Sequence, residues 1–514
     1  MLHRLARVVE GRWALPTLIG LNTLAVLCFR HFVSLDGPMH LLHAAVLHDS
    51  WAGHPPTADG FTVDTDALDL NLGDLPLIAL AGQVHPFLLH KLLAALAITC
   101  ISTGAWCLAR AYSPRPSAAW LLVLPFAFGF LLVLGVFHFA IGAGIAMGLC
   151  GWWAARPVVR WREVIVLAAG CALATFAHNT GGLLTLLLIG THEVFARWCG
   201  PVAWRARWSG LPPRVPLLLA LAVAITGAVL VALRFAVPVA HPHLEHHPLL
   251  ELATLRQILL VDREAEFPYR LTLGGLLMVL LVLAVRARFR TWALRPADAL
   301  LAMAGLLFLL SLVRTPRTEL HFATDRAQWL GLLLLAGWLG AQDLPGRAMP
   351  LVLLGILIVH GLRLGFVERW MHWQKDKDAA AVDAARSFHP GGLVMPLVLD
   401  DDWLARHRTA YAAIGYTGIM FTPRDHLRFR SARPLDRDAR KYLNTPDNDT
   451  GRAVEHLRAG RFPVPGQVLV LSPPADTLDR RWAAARAVLA GRYVRSAACD
   501  HAQVWTVRGL ADSR

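Results

Sequence analysis

Two aspartates and three histidines follow the first long apolar stretch of the sequence. Residues 34–49 read SLDGPMHLLHAAVLHD. Asp36 can cap a helix and the proline two residues later is tolerated in a first turn, so the segment predicts a helix that begins at Gly37. His40 and His43 then share one face, with His40 four residues after Asp36. A carboxylate beside an imidazole can accept a proton or hold a divalent metal ion; alternatively, Asp36 only caps the helix and the histidines only pack.

The composition indicates a membrane protein. Apolar helices must therefore position these residues. The chain has 514 residues, of which 55% are hydrophobic and 17% charged. We predict an α-helical polytopic fold of about eleven spans, because apolar windows of roughly 17–25 residues recur along the chain. The spans are expected near residues 13–33, 87–109, 119–136, 138–155, 163–178, 181–197, 215–236, 270–288, 297–313, 327–344 and 349–367. The segment at 119–155 fits either two spans or one broken helix, because it contains a proline and several glycines.

The distribution of arginine predicts the orientation of the chain. The loop at 34–86 contains no Lys or Arg, whereas alternate short loops are rich in Arg, which places the N-terminus in the cytoplasm of a bacterium. The net charge of +14 then favours anionic lipid over nucleic acid as a partner. We expect a transmembrane domain at 1–370 in the inner membrane, with outer loops 34–86 and 237–269. Residues 371–514 are expected to form a small periplasmic α/β domain, with strands in GGLVMPLVLD, QVLVLS and QVWTVRG.

Further histidines are predicted to lie on the same outer side. His178 and Asn179 occupy an expected outer turn, and His321 lies in a later outer loop, so all three are candidates to line a cavity beside Asp36. The motif HPHLEHHPLLE in the loop at 237–269 would suit a metal, but it follows no standard zinc spacing. A solvated, adaptable loop is the other interpretation.

The loop RTPRTELHFATDR places arginines where the topology disfavours them. Arg314, Arg317 and Arg326 all fall on the predicted outer side. Arginine kept against this bias often has an anionic partner, and guanidinium binds phosphate through two parallel hydrogen bonds. A lipid phosphate is one candidate partner. Pairing with Glu319 and Asp325 of the same loop is the other.

These features together resemble the GT-C class of integral-membrane glycosyltransferases. The resemblance rests on DGPMHLLHA, FGFLLVLGVFHFAIG, FAHN, the late outer arginine and the overall architecture. It implies transfer of a sugar from a polyprenyl-phosphate donor to a glycan, lipid or protein acceptor of the cell envelope, on the outer face. Asp36 matches the acid of the class, which acts as a base or helps to hold a metal, and Arg326, with Arg314 or Arg317, would hold the donor phosphate. Members often have two adjacent acids here, whereas this chain has Gly37, and His40 or His43 is the candidate to replace the second acid.

Two other classes of function remain open at this point. A transporter or flippase for a lipid-linked glycan would use His138 and His178 as pathway groups. A non-catalytic scaffold would use the Arg-rich C-terminal segment to recruit envelope proteins. Few charges within the spans, no clear pair of similar halves and polar groups concentrated on one side favour the enzyme.

Overall fold

The computed structural model describes the greater part of the chain. The described residues are 14–52, 61–63, 71–113, 116–212, 215, 248–289, 293–312, 321–344, 349–390, 392–400, 402–405, 407–414, 419–420, 429–431, 450–459, 465–474 and 479–511. Nearly all of the predicted span at 215–236 lies outside these residues, as do the histidine-rich motif at 241–247, Arg314 and Arg317.

A bundle of apolar helices forms the larger part of the molecule. Within the described residues, each predicted span coincides with one helix or, at 119–136, with several short helical pieces. Four of the described helices are long and apolar enough to cross a membrane: α4 (Pro86–Tyr112), α7 (Phe137–Ala154), α12 (Phe267–Arg288) and α15 (Met349–Ala385). The bundle comprises α1 (Ala14–Cys28), α2 (Gly37–Ala52), α3 (Asp74–Leu80), α4 (Pro86–Tyr112), a 3₁₀ turn (Ala118–Leu122), α5 (Val123–Ala127), α6 (Phe130–Leu134), α7 (Phe137–Ala154), α8 (Trp161–Ala177), α9 (Asn179–Cys199), α10 (Pro201–Trp208), α11 (Pro248–Ala253), a 3₁₀ turn (Arg256–Ile258), α12 (Phe267–Arg288), α13 (Asp298–Leu312), α14 (His321–Gly340) and α15 (Met349–Ala385).

The segment at 118–134 is a broken helix that is buried along its whole length. Its breaks leave backbone carbonyls without helical partners, and such groups are costly inside a protein. Side chains from distant helices fill this need: the indole of Trp329 donates to the Phe126 carbonyl at 2.8 Å, and Arg363 donates to the Phe128 carbonyl at 2.6 Å. The broken segment is thus held at the centre of the bundle, which accounts for its apolar residues on every side.

The last helix of the bundle is longer than predicted. The sequence places a span at 349–367 and a domain boundary after residue 370, but α15 continues to Ala385 for a total of 37 residues. The stretch 366–385 contains neither Gly nor Pro, so nothing in the local sequence ends the helix. One rigid element therefore connects the apolar bundle to the C-terminal region.

The C-terminal region contains a five-stranded mixed sheet. Strands lie in all three predicted sequences. In spatial order the strands of the sheet are β3 (Ile419–Met420), β2 (Leu393–Val398), β5 (Gln467–Leu471), β7 (Ala502–Val507) and β6 (Tyr493–Cys499). Strand β2 is parallel to β3 and β5, and β7 is antiparallel to β5 and β6. A second, antiparallel pairing joins β1 (Phe61–Val63) of the first loop to β4 (Phe429–Ser431). The elements are β1 (Phe61–Val63), β2 (Leu393–Val398), α16 (Thr409–Ala413), β3 (Ile419–Met420), β4 (Phe429–Ser431), α17 (Thr450–Ala459), β5 (Gln467–Leu471), α18 (Arg480–Arg492), β6 (Tyr493–Cys499), β7 (Ala502–Val507) and α19 (Arg508–Ala511), with a 3₁₀ turn at Trp403–Ala405.

A buried network of charges attaches this sheet region to the bundle. The carboxylate of Asp378 on α15 binds Arg408, and it also lies 2.6 Å from Nε2 of His31. Arg408 and Lys377 both donate to Asp400, at 3.0 and 2.8 Å. Burial raises the pKa of Asp400, but the hydrogen bond from Lys377 and the charge of Arg408 outweigh it and lower the pKa to about 2. The network fixes the segment after β2 against the end of the bundle where Asp36 lies.

Candidate functional site

Asp36 lies at the start of α2, as its capping sequence predicts. The amides of Leu35 and Asp36 donate to the carbonyls of Val133 and Leu134, at 2.7 and 3.1 Å, which ties this turn to the broken helix. The Asp36 carbonyl accepts the first helical hydrogen bonds of α2, including that from the His40 amide. The side chain of Asp36 remains 21% exposed. Its backbone is therefore fixed while its carboxylate stays accessible.

The residue after Asp36 has no room for a side chain. A Cβ on Gly37 would lie 1.9 Å from Nε2 of His90 and 2.4 Å from Oγ of Ser34. Those two side chains are hydrogen-bonded to each other at 2.7 Å, and Nδ1 of His90 lies 2.8 Å from the hydroxyl of Tyr411. The second adjacent acid of the GT-C pattern is therefore sterically excluded here.

Gly135 supports Asp36 from the opposite side. It adopts a φ of +83°, a left-handed conformation that favours glycine, at the end of α6. A Cβ at this position would lie 2.9 Å from the Gly37 nitrogen and 3.0 Å from Cβ of Asp36. The Gly-rich motif in FLLVLGVFHF thus brings the broken helix into direct contact with the acid.

The C-terminal region contributes side chains to the same place. Nε2 of His407 lies 3.4 Å from Oδ1 of Asp36, and His407 is 2% exposed. Tyr411 of α16 reaches His90 as described above. Sequence reasoning did not identify His407 or Tyr411, because neither has a fixed spacing from Asp36 and only the tertiary fold places them together.

His40 lies one turn beyond Asp36 and meets two residues that were not predicted as its partners. Its ring packs edge-on against that of His138, with centroids 4.7 Å apart, and Nε2 of His138 lies 3.0 Å from Oδ1 of Asp74. Burial lowers the pKa of His40 to about 4 and His138 adds to this effect, while Asp74 and Asp36 oppose it. Burial would raise the pKa of Asp74, but the close contact with His138 and the charge of that imidazole lower it.

Arg326 lies near the same carboxylate. Asp36 and Asp325 attract its charge, and its guanidinium lies over the ring of Phe139 at 5.1 Å from the centroid. The buried Nε of Arg326 makes no hydrogen bond among the described residues. A guanidinium with donor capacity beside an acid can bind an anionic oxygen.

His178 also packs against Phe139, edge-on, with ring centroids 5.4 Å apart. It caps α9, since its Nδ1 accepts the amide of Thr180 at 3.2 Å. Burial lowers the pKa of His178 to about 4, and the charges of Arg326 and His138 add to this effect. Asp36, His40, Arg326 and His178 therefore converge at one end of the bundle.

The remaining predicted residues lie at the edge of this group of side chains or outside the described residues. His43 is half-buried on α2, one turn after His40. Asn179 is exposed at the first position of α9, so the structure does not bring its side chain into the group. His321 is the first residue of α14, while Arg314 and Arg317 are outside the described residues.

Comparison with known proteins finds similarity at the level of fold. No protein-family model and no curated protein sequence matches the chain. The crystal structure of ArnT from Cupriavidus metallidurans bound to undecaprenyl phosphate matches with a TM-score of 0.50 and 14% identity, covering 97% of this chain and 99% of that chain. ArnT from the same organism in the apo state matches with a TM-score of 0.52 and 13% identity, covering 96% of each chain.

The chain thus has a fold similar to that of ArnT along nearly its whole length. This similarity agrees with the architecture that the resemblance to the GT-C class implies. The fold and the long apolar helices together define a helical membrane protein.

Proposed function

We propose that the protein is a membrane glycosyltransferase that moves a sugar from a polyprenyl-phosphate donor to a cell-envelope acceptor. The observation that carries this proposal is the position of the Arg326 guanidinium, which lies 5.1 Å from the Phe139 ring centroid and within electrostatic reach of Asp36, although 290 positions separate the two residues in the sequence. An acid and a cation at one end of the bundle supply the two functions that the reaction needs. The ArnT fold supports the proposal, and the ArnT crystal structure holds undecaprenyl phosphate.

Asp36 is the proposed catalytic base. Its carboxylate takes the proton of the acceptor hydroxyl while that oxygen forms a bond to the anomeric carbon of the sugar. The bond between this carbon and the phosphate oxygen breaks, and its electron pair leaves with the polyprenyl phosphate. His407, at 3.4 Å from Oδ1, positions the carboxylate.

Arg326 is the proposed ligand of the donor phosphate. Negative charge grows on the leaving oxygen as the bond breaks, and a fixed cation in a water-poor site stabilises that charge. Phe139 supports the guanidinium from one face, and Nε is left as a donor for phosphate oxygen. His178 borders this position.

The proposed location follows from the polyprenyl chain of the donor. The tail has to remain in the bilayer, so the reacting phosphate lies at the membrane boundary, where apolar helices end near Asp36. With the N-terminus in the cytoplasm, this end faces the periplasm of a bacterial inner membrane, and the region after α15 lies on the same side.

The test compares the envelope glycans of four strains by mass spectrometry. They carry the wild-type protein, Asp36→Asn, the control Asp49→Asn from the same helix, or no protein. A glycan lost with Asp36→Asn and in the deletion, but kept with Asp49→Asn, is the expected result. A glycan lost only in the deletion would assign the protein to lipid-glycan transport or to a scaffold. An unchanged glycan in the deletion would contradict the proposal altogether.

A further inference from the structure

Three side chains from three separate elements meet beside Asp36. They are His40 of α2, Asp74 at the start of α3, and His138 in the first turn of α7, and one ligand atom of each lies within 4.8 Å of the others. Nε2 of His138 and Oδ1 of Asp74 are already 3.0 Å apart. Ligand atoms around tetrahedral zinc are about 3.3 Å apart, given bonds of roughly 2.0 Å. We propose that His40, Asp74 and His138 bind a divalent transition-metal ion of the zinc type.

His138 supplies an independent observation for this site. The residue is only 6% exposed, and its Nε2 makes no aligned hydrogen bond among the described residues despite its short distance to Asp74. A buried imidazole beside a carboxylate normally aligns with it, because an unsatisfied buried polar atom is costly. A cation between the two atoms satisfies both without that alignment.

In Asp74 and His40 the second polar atom of the side chain is anchored by the backbone. Oδ2 of Asp74 accepts the amide of Asn71 at 2.9 Å, which leaves Oδ1 toward His138. Nε2 of His40 lies 3.0 Å from the carbonyl oxygen of Gly135. A carbonyl can only accept, so this nitrogen carries the proton and Nδ1 carries the lone pair. Metal-binding histidines are commonly oriented by such a bond from the second ring nitrogen.

The local sequence is adapted to this close approach. A Cβ on Gly73 would lie 2.7 Å from Cδ2 and 2.9 Å from Nε2 of His138. Only a glycine at this position lets the start of α3 pack directly on the His138 ring.

The ligand set selects the class of ion. Two imidazoles and one carboxylate suit zinc and similar transition metals, whereas Mg²⁺ and Ca²⁺ prefer sites made of oxygen. Three protein ligands leave a fourth position for water or for an oxygen of another molecule. The ion would tie the first loop to α7 and add positive charge one helical turn from Asp36. Its binding does not depend on the proposed transferase activity.

The experiment measures metal content in the full-length protein. Because the motif at 241–247 contains four further histidines, all variants carry His243→Gln and His246→Gln. The detergent-purified protein is treated with a chelator, incubated with Zn²⁺, desalted and analysed by mass spectrometry for zinc. Co²⁺ replaces Zn²⁺ in a parallel sample, where visible absorption reports imidazole and carboxylate coordination. The matched control is His48→Gln, since His48 lies in the same loop and bonds the Ile78 carbonyl at 2.9 Å.

The expected result is about one zinc ion per chain in the background protein and in His48→Gln, undiminished by excess Mg²⁺. Asp74→Asn and His138→Gln should each lower zinc affinity at least about 10-fold and remove the Co²⁺ spectrum. His40→Gln is the substitute if either variant fails to elute as a folded species. Equal zinc binding by the ligand variants and His48→Gln overturns the proposal, and so does a background protein that binds no zinc. Neither result depends on whether the protein transfers a sugar.

Discussion

Helices α7 and α9 each carry polar side chains at both ends, and the two resulting clusters are built differently. His138 and the cap His178 lie where these helices begin, whereas Trp153 and Glu193 lie near their other ends. The spacing from His138 to Trp153 corresponds to about 22 Å along a helix. The comparison separates a cluster that holds the fold together from one that is available for chemistry.

The Glu193 cluster is saturated with hydrogen bonds. Oε1 accepts from the indole of Trp153 at 2.7 Å, and Oε2 accepts from those of Trp204 and Trp208 at 2.8 and 2.9 Å. Arg207 lies 3.3 Å from Oε1 and also donates to the carbonyl of Trp153. Trp153 belongs to α7, and the other donors belong to α10. The Glu193 carboxylate on α9 therefore joins three helices.

The cluster around Asp36 is organised by backbone contacts instead. Gly37 and Gly135 bring the chain close to the acid, and its carboxylate remains 21% exposed beside His407 and Arg326. A carboxylate that is fixed by its backbone, yet accessible, can meet a substrate hydroxyl. Burial of a polar group alone therefore does not mark a functional site, whereas accessibility within rigid surroundings does.

The largest expected effect on stability lies at the Glu193 end. Glu193→Gln leaves Arg207 buried without its counter-charge, so we expect unfolding free energy to fall by about 3 kcal/mol. Thermal unfolding in detergent measures the loss, with Glu368→Gln at a distant, looser pair as the control. Transfer activity per folded molecule should stay at the wild-type level, and a selective loss of activity would break the comparison.

Arg326→Ala tests the cluster around Asp36 by its effect on the use of the lipid-linked donor. Loss of charge-assisted hydrogen bonds to the donor phosphate and to the leaving oxygen should lower kcat/KM for the lipid-linked donor about 10- to 100-fold, equivalent to about 1.4–2.7 kcal/mol. Arg326→Lys keeps the charge but not the two-pronged geometry, so it should recover only part of the loss. Steady-state kinetics with varied donor provides the values. An unchanged kcat/KM in Arg326→Ala would remove this residue from the site.

Gly37→Ala tests the role of close backbone packing beside Asp36. The added methyl group would meet His90 and Ser34, which should cost about 1–3 kcal/mol and lower the melting temperature. Gly20→Ala is the matched control, because nothing lies within 4 Å of a Cβ at that position. Equal melting temperatures for the two variants would show that the turn after Asp36 has more freedom than this geometry implies.

The smallest expected effect is a loss of stability in acid. It arises in the charge network around Asp400, which attaches the C-terminal region to the bundle. The pKa of Asp400 is lowered from 3.8 to about 2, so its ionised form stabilises the folded protein. That contribution is complete above pH 4 and is lost as the pH falls from about 4 toward 2. Melting curves between pH 6 and pH 3 should therefore decline less steeply for Asp400→Asn than for the wild type. Parallel curves would argue against this network as a source of acid sensitivity.

The local sequence was sufficient to predict those parts of the structure that local interactions determine. The capping residues before Gly37, the apolar spans and the three strands of the C-terminal sheet all follow from short patterns. The arginine distribution also placed Arg326 on the same outer side as Asp36. That the two residues serve one site was implied only by the resemblance to the GT-C class.

Other features could not be predicted because they depend on distant parts of the chain. His407 reaches Asp36 only because α15 continues past the expected boundary and the network at Asp378 docks the following segment. Asp74 meets His138 only because α3 folds back over the start of α7. No spacing rule connects such positions in a single sequence.

The most direct test of the central claim is turnover of a lipid-linked sugar by the purified protein in proteoliposomes. Polyprenyl-phosphate sugars and candidate envelope acceptors are extracted from cells that lack the protein, and release of polyprenyl phosphate is followed by mass spectrometry. The wild type and Glu193→Gln should release it, whereas Asp36→Asn should do so at least about 100-fold more slowly. Equal release by Asp36→Asn and the wild type, or no release by the wild type, would contradict the account.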